Sequence, residues 1–181
     1  MKKKLIKYGI IAGSLSLLIL AVFSVRRAII VSTKSHGVKK DLAVVISPPP
    51  PKEINQEIAI SLPKSKLLIK YVVVSAELQD EILVKNEKVK ASLGRTFLIF
   101  TLKIVNDSPQ GIQVNSRDFL RITTDGGHEW LAPDIHNDPV EVQALSTKYT
   151  RVGLPVNKTD KQFKIRLGEI SGEKTEFEIV F

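Results

Sequence analysis

None of the 181 residues is cysteine, which removes disulfide frameworks, thiolate metal sites, cysteine nucleophiles and lipidation of an N-terminal cysteine together. A fold built without such staples rests on its apolar core. Histidine occurs three times, and one of these, His36, lies in an early segment that reads as linker. That leaves His128 and His136 for any base chemistry in a folded region, and no Gly-x-Ser-x-Gly elbow is present. Each of the two reads as a strand-end or loop histidine, so no catalytic residue is assigned and no enzyme activity is expected. Cofactors are not expected either.

Acidic residues are absent from positions 1–40, which hold nine lysines and arginines. The formal charge of +8 therefore resides in that segment: positions 41–181 carry eighteen basic against nineteen acidic residues. A near-neutral remainder lacks the electrostatic footprint of phosphate-backbone binding, and nucleic acid is excluded as a partner.

The stretch MKKKLIKYGIIAGSLSLLILAVFSVRR has a basic tip, an uncharged run from Tyr8 to Val25 and a stop at Arg26-Arg27. Such a run rises roughly 27 Å as a helix, enough to cross the hydrocarbon core of a bilayer. Residues 1–27 are expected to be a cytoplasmic tip and one transmembrane anchor, making the membrane a partner. The alternative is a secretory signal cleaved near Ser24, although the apolar run exceeds an ordinary signal core and two arginines would follow the cut. Basic residues flank the run on both sides, so the positive-inside count does not choose an orientation.

Residues 28–66 read as an extended stalk. Pro48 to Pro51 can neither donate ladder hydrogen bonds nor continue a helix, and they favour a semi-rigid polyproline spacer. From Leu67 on, short β-type runs alternate with Ser/Asn/Asp/Gly turns and no helical period appears, which predicts an all-β antiparallel sandwich over 67–181. The expected strands are 67–75, 77–84, 96–106, 111–115, 118–124, 128–131, 147–155, 161–167 and 174–181. The run FLIFTLKIVND, Phe97 to Asp107, is the expected central strand, with Leu98, Phe100, Leu102 and Ile104 on one face. Asp125-Gly126-Gly127 is expected to turn a hairpin.

The segments TFLIFTLKIVNDSPQGIQVNSRDFLRITTDGGHEW and STKYTRVGLPVNKTDKQFKIRL resemble the telokin-like, immunoglobulin-like bacterial domain family of unknown function, found in small lipoproteins and membrane-anchored proteins. The likeness rests on a long strand ending in Asn106-Asp107-Ser108, the Phe119-Leu120 strand and the Asp125-Gly126 hairpin. It implies an immunoglobulin-like sandwich outside the cell membrane, acting as a binding or scaffolding module for a protein or cell-envelope partner. Two departures stand out. A lipobox cysteine is missing, which favours a transmembrane anchor over a lipid one, and LSTKY stands before Thr150 where a Pro-Gly-Glu type turn is common.

Few residues suggest a site. The loop PDIHNDPVE offers Asp134, Asp138 and Glu141, with Asn137, as hard oxygen ligands of the kind Ca²⁺ takes, but without EF-hand spacing. A Ca²⁺-binding sandwich using residues 134–141 is one alternative function, and a secreted antigen-like or inhibitor sandwich is another. Trp130, the single tryptophan, is the candidate for partner contact. Asn106-Asp-Ser108 and Asn157-Lys-Thr159 fit the N-glycosylation pattern.

Overall fold

The computed structural model describes residues 49–62 and 67–181. The expected anchor (1–27) and the first part of the stalk lie outside the described residues. Among the described residues, no helix is long and apolar enough to cross a membrane.

Eleven strands, β1 (Lys52–Ser61), β2 (Leu68–Gln79), β3 (Glu81–Val84), β4 (Glu87–Lys90), β5 (Arg95–Asn106), β6 (Ile112–Val114), β7 (Leu120–Thr123), β8 (Val140–Val142), β9 (Ser146–Asn157), β10 (Gln162–Gly168) and β11 (Lys174–Val180), follow in chain order. All pair antiparallel. One sheet has the order β1-β2-β5-β9 and another β11-β10-β7, with two-stranded ribbons β3-β4 and β6-β8 beside them. The described residues are thus all-β and sandwich-like, as their turn-punctuated runs predict.

β5 occupies an inner position of the larger sheet, between β2 and β9. Leu98, Phe100, Leu102 and Ile104 are all fully buried in the core between the sheets, where they meet Tyr71, Phe163 and Ile165. Strict alternation, with β-branched and aromatic residues that pack well on a pleat, fixes that register. The opposite face of β5 is apolar only in its first half, and the fold explains why. Phe97 and Ile99 are buried there under Ile82, Ala91 and Ile135, a second small core on the outside of the sheet. Gly153 faces Ile99 across the ladder, and a Cβ at that position would stand 2.4 Å from Ile99 Cδ1 and 2.6 Å from the Leu98 carbonyl oxygen. Glycine there lets Ile135 cross the edge of β9 and close over Ile99.

Several expected boundaries are corrected. The domain begins at Lys52 rather than Leu67: β1, assigned to the stalk, pairs with β2 from Lys52↔Ala76 to Ser61↔Leu68, with a bulge between Glu53 and Gln56. The expected strands 67–75 and 77–84 are instead one long β2, bulged between Val73 and Ser75, followed by β3. The 118–124 run begins as a one-turn 3₁₀ helix, Ser116–Phe119, before β7. Residues 128–131 form no strand, and only Leu131 bridges to Ile122. β4 and β8 were not expected: the first is exposed throughout and the second is three residues long. The β3-β4 hairpin turns at Lys85-Asn86, both with positive φ (50° and 68°), as a two-residue hairpin turn requires.

Candidate functional site

The acidic loop does not gather a metal site. Among the described residues no group of three or more His, Asp or Glu side chains is arranged to hold an ion. Asp138 is instead committed to the 3₁₀ turn. Its Oδ1 accepts from the Ser116 backbone N–H at 2.7 Å and the Ser116 hydroxyl at 2.6 Å, and its Oδ2 from the Arg117 N–H at 3.0 Å. Asp134 is exposed, and Glu141 accepts from the Gln113 amide at 3.3 Å. The ligand set read from Asp134, Asp138 and Glu141 is therefore corrected to one structural carboxylate and two surface acids.

His136 belongs to the same knot. Arg117 Nη1 lies 2.9 Å from His136 Nε2, and a guanidinium can only donate, so Nε2 accepts. The other ring nitrogen, Nδ1, faces the Asp138 backbone N–H at 3.2 Å and lies 3.5 Å from Asp138 Oδ2. Ser116 gives its proton to a carboxylate rather than to a histidine, and it is fully buried. Serine, histidine and aspartate meet here without forming an activated nucleophile. Tyr71 closes the knot from below, donating to the Ser116 carbonyl at 2.9 Å, and burial pushes its phenol well above the ordinary range.

Trp130 is half-buried at the rim. The Arg166 guanidinium stacks 3.9 Å from its ring centroid and is held there by Glu176 at 2.6 Å. The loop before it is organised by Asp125, whose carboxylate accepts from the Thr123 hydroxyl and from the N–H groups of Gly127, His128 and Glu129. Gly126 and Gly127, at φ 78° and 108°, permit that inward curl. The Thr123 hydroxyl first, and then the Glu129 N–H, hold the Asp125 carboxyl at about 2, below its usual 3.8. A depressed folded value means that the unfolded chain binds the proton more readily. The loop's contribution to stability is thus present above about pH 4 and lost as pH falls through about 2. Melting temperatures across that acid range should fall less steeply for Asp125→Asn than for the parent. Parallel curves would show that the carboxylate does not couple to folding.

The exposed strand edges differ in how they are closed. β7 is covered by Leu131, bonded both ways to Ile122 at 2.9 and 2.8 Å. β1 is bulged at Asn55, where φ is 54°. β11 carries Lys174, Glu176 and Glu178 outward, and the Lys52 ammonium binds its Val180 carbonyl. Charges and bulges of this kind blunt an edge. Among the described residues, β9 is covered at Gly153, through Ile135 at 2.8 and 2.9 Å, and at the Pro155 carbonyl by the Arg95 guanidinium at 2.7 Å. Antiparallel ladders alternate which residues turn their backbone groups inward, so Thr147, Tyr149 and Arg151 share the outward orientation of Gly153. No described backbone group covers them.

Beside this open stretch lies a groove of about 390 Å³, lined by Asn137, Pro139, Val140 and Glu141 on one side and by Lys148 to Arg151 on the other. Tyr149 is 59% exposed there. Arg151 is paired with Glu77, while Lys148 has no ion-pair partner among the described residues. An open edge beside a partly apolar groove can accept an extended strand, with backbone bonds giving adhesion and flanking side chains giving selectivity. Sequence reasoning named Glu141 and the adjoining loop but not Tyr149, because edge status depends on which strands pair. A larger cleft of about 920 Å³, which shares Pro139 with this groove, lies over Leu62, Ile112 and Phe119. Glu169 on its wall is already engaged by the Ser61 N–H at 2.6 Å.

No family model and no curated protein match the chain. Among solved structures it is similar to a conserved hypothetical protein from Bacillus anthracis, with a TM-score of 0.50 and 10% identity over 70% of this chain and 95% of that one. An uncharacterized β-sandwich protein from Clostridium difficile gives 0.48 and 16% over 73% and 99%. A candidate lipoprotein from Bacillus subtilis gives 0.42 and 13%, over 71% of this chain and 39% of that one. The first of these likenesses reaches the level of a shared fold; none carries an activity, a ligand or a partner.

Proposed function

We propose that the chain is a membrane-tethered, extracytoplasmic binding module: an immunoglobulin-like sandwich of the telokin-like type, without catalytic activity, that holds an extended segment of a protein or cell-envelope partner. The observation that carries this reading is the half-open edge of β9, uncovered from Thr147 to Arg151 and flanked by a groove. The tether is argued from the apolar run between Tyr8 and Val25. The absence of catalysis is argued from the His136 knot, whose serine, acid and imidazole are spent on one another.

The test uses the full chain in its producing cells, with a photo-crosslinking residue at Tyr149 or, as a control, at the exposed Ala59 on β1. The full-length mass is expected in the membrane pellet through high salt and alkali. A discrete adduct is expected from position 149 and not from position 59. A soluble species beginning near Val25 would replace the tether with secretion, and identical adducts from both positions would reject the β9 edge.

A further inference from the structure

The β3-β4 hairpin displays aliphatic side chains that the fold does not use. Ile82 packs under the sheet edge with Phe97, but beyond it Leu83 is 71% exposed, and Val84 and Val89 are 38% and 39% exposed. Leu93, just after the ribbon, is fully exposed. Leu83 shares one face of the ribbon with Lys88, and Val84 and Val89 lie on the other face with Glu87, so both faces near the turn carry aliphatic side chains. Lysines stand among them. From Leu83 to Lys90 the hairpin has Lys85, Lys88 and Lys90 against Glu87 alone, and Lys88 and Lys90 share Glu81 at 2.9 and 4.0 Å while staying open to solvent.

The topology places this hairpin at a particular end of the sandwich. β1 starts at Lys52 opposite Ala76, and β2 ends three residues later at Gln79, leading straight into β3. The hairpin closes at its base through the Ala91 N–H and the Asp80 carbonyl at 2.9 Å. The chain therefore enters the folded domain at the same end from which the hairpin springs.

We propose that the hairpin is a lipid-docking element: Leu83, Val84, Val89 and Leu93 enter the headgroup region of an anionic bilayer while Lys85, Lys88 and Lys90 meet its phosphates. The proposal rests on the tethered reading above, since the chain that carries the proposed tether joins the folded domain at Lys52, at the end from which the hairpin springs. Aliphatic burial supplies adhesion, and each lysine near an anionic surface adds roughly fivefold to binding.

Because the chain has no cysteine, single labels can be placed without background. Full-length Leu83→Cys and Leu93→Cys proteins carrying a polarity-sensitive dye are reconstituted with phosphatidylcholine vesicles, with or without phosphatidylglycerol. Leu145→Cys serves as control, because Leu145 is exposed at the far end of β9. The expected result is a blue shift and at least about fivefold protection from an aqueous quencher at 83 and 93, only with phosphatidylglycerol and reversed by salt. Labels at 83 and 93 as accessible as the one at 145 in anionic vesicles would overturn the proposal. Flotation after an alkali wash reports the tether separately. Vesicle-bound protein with wet labels leaves the tether standing and sinks the docking; immersion seen only in chains that alkali strips does the reverse. A chain that fails to float with phosphatidylglycerol vesicles at low salt overturns both.

Discussion

A chain beginning at Pro49 is expected to melt as a single cooperative sandwich, and one beginning at Leu67 is expected to aggregate. The second lacks β1. Ile60 is fully buried and Leu62 nearly so, and Ile54 and Ile58 pack against the same core. Loss of a buried Leu or Ile side chain costs about 2 to 5 kcal/mol, so the four together approach the roughly 5 to 15 kcal/mol by which whole domains are stable. Removal of β1 also uncovers the ladder of β2 along Ile69, Tyr71 and Val73, all fully or almost fully buried in the intact protein. A long apolar edge of that kind recruits other chains. Circular dichroism melts and gel filtration of the two chains check this, and equal, cooperative melting of both would mean that β1 is dispensable.

The reason β1 escapes a sequence reading is local. Ile54, Ile58 and Ile60 do alternate, but Gln56 interrupts the series, the bulge at Asn55 breaks the register, and four prolines immediately before it mimic a linker. β5 is legible for the opposite reason, since its core face is unbroken from Leu98 to Ile104 and the pattern can be read only one way. Thr96–Asn106 was expected and Arg95–Asn106 is found. The split expected at Ala76 fails for the same kind of reason as β1: β2 is bulged between Val73 and Ser75 but runs on through Ala76 and Glu77 to Gln79. Asp138 illustrates a deeper limit. Its loop looked like a cation site because acids cluster along the chain, but what its carboxylate binds are the amides of Ser116 and Arg117, more than twenty residues away. The open part of β9 is likewise a property of pairing: nothing in STKYTR says that Ile135 covers Gly153 and stops short of Tyr149.

Asn106→Asp, a change of one atom, is expected to destabilise the domain by about 3 to 5 kcal/mol at neutral pH, the range for a buried charge left without its partner. Asn106 is fully buried. Its amide nitrogen donates to the carbonyls of Gln110 at 2.7 Å and Gln143 at 2.9 Å, while its oxygen accepts from the Ser108 N–H at 3.1 Å and the Ser108 hydroxyl at 2.7 Å. One side chain thus ties the end of β5 to the turn that follows it and to the link between β8 and β9. That nitrogen is also the atom a glycan would take, so the Asn106-Asp-Ser108 pattern cannot be glycosylated in the folded domain, whereas Asn157 is exposed. A carboxylate at 106 keeps the Ser108 bonds but sets a negative oxygen against two carbonyls. Burial and those carbonyls raise its folded pKa above the ordinary value of about 3.9. The folded variant then holds the proton more tightly than the unfolded chain. Its deficit relative to the parent is therefore smallest below about pH 4, where the neutral acid can donate to one carbonyl, and grows as pH rises toward the raised value. Denaturant melts of parent and variant at several pH values measure that difference. A deficit that stays constant with pH would mean that the loop opens to hydrate the charge, and a parent-like melt at pH 7 would remove Asn106 as the tie between these three segments.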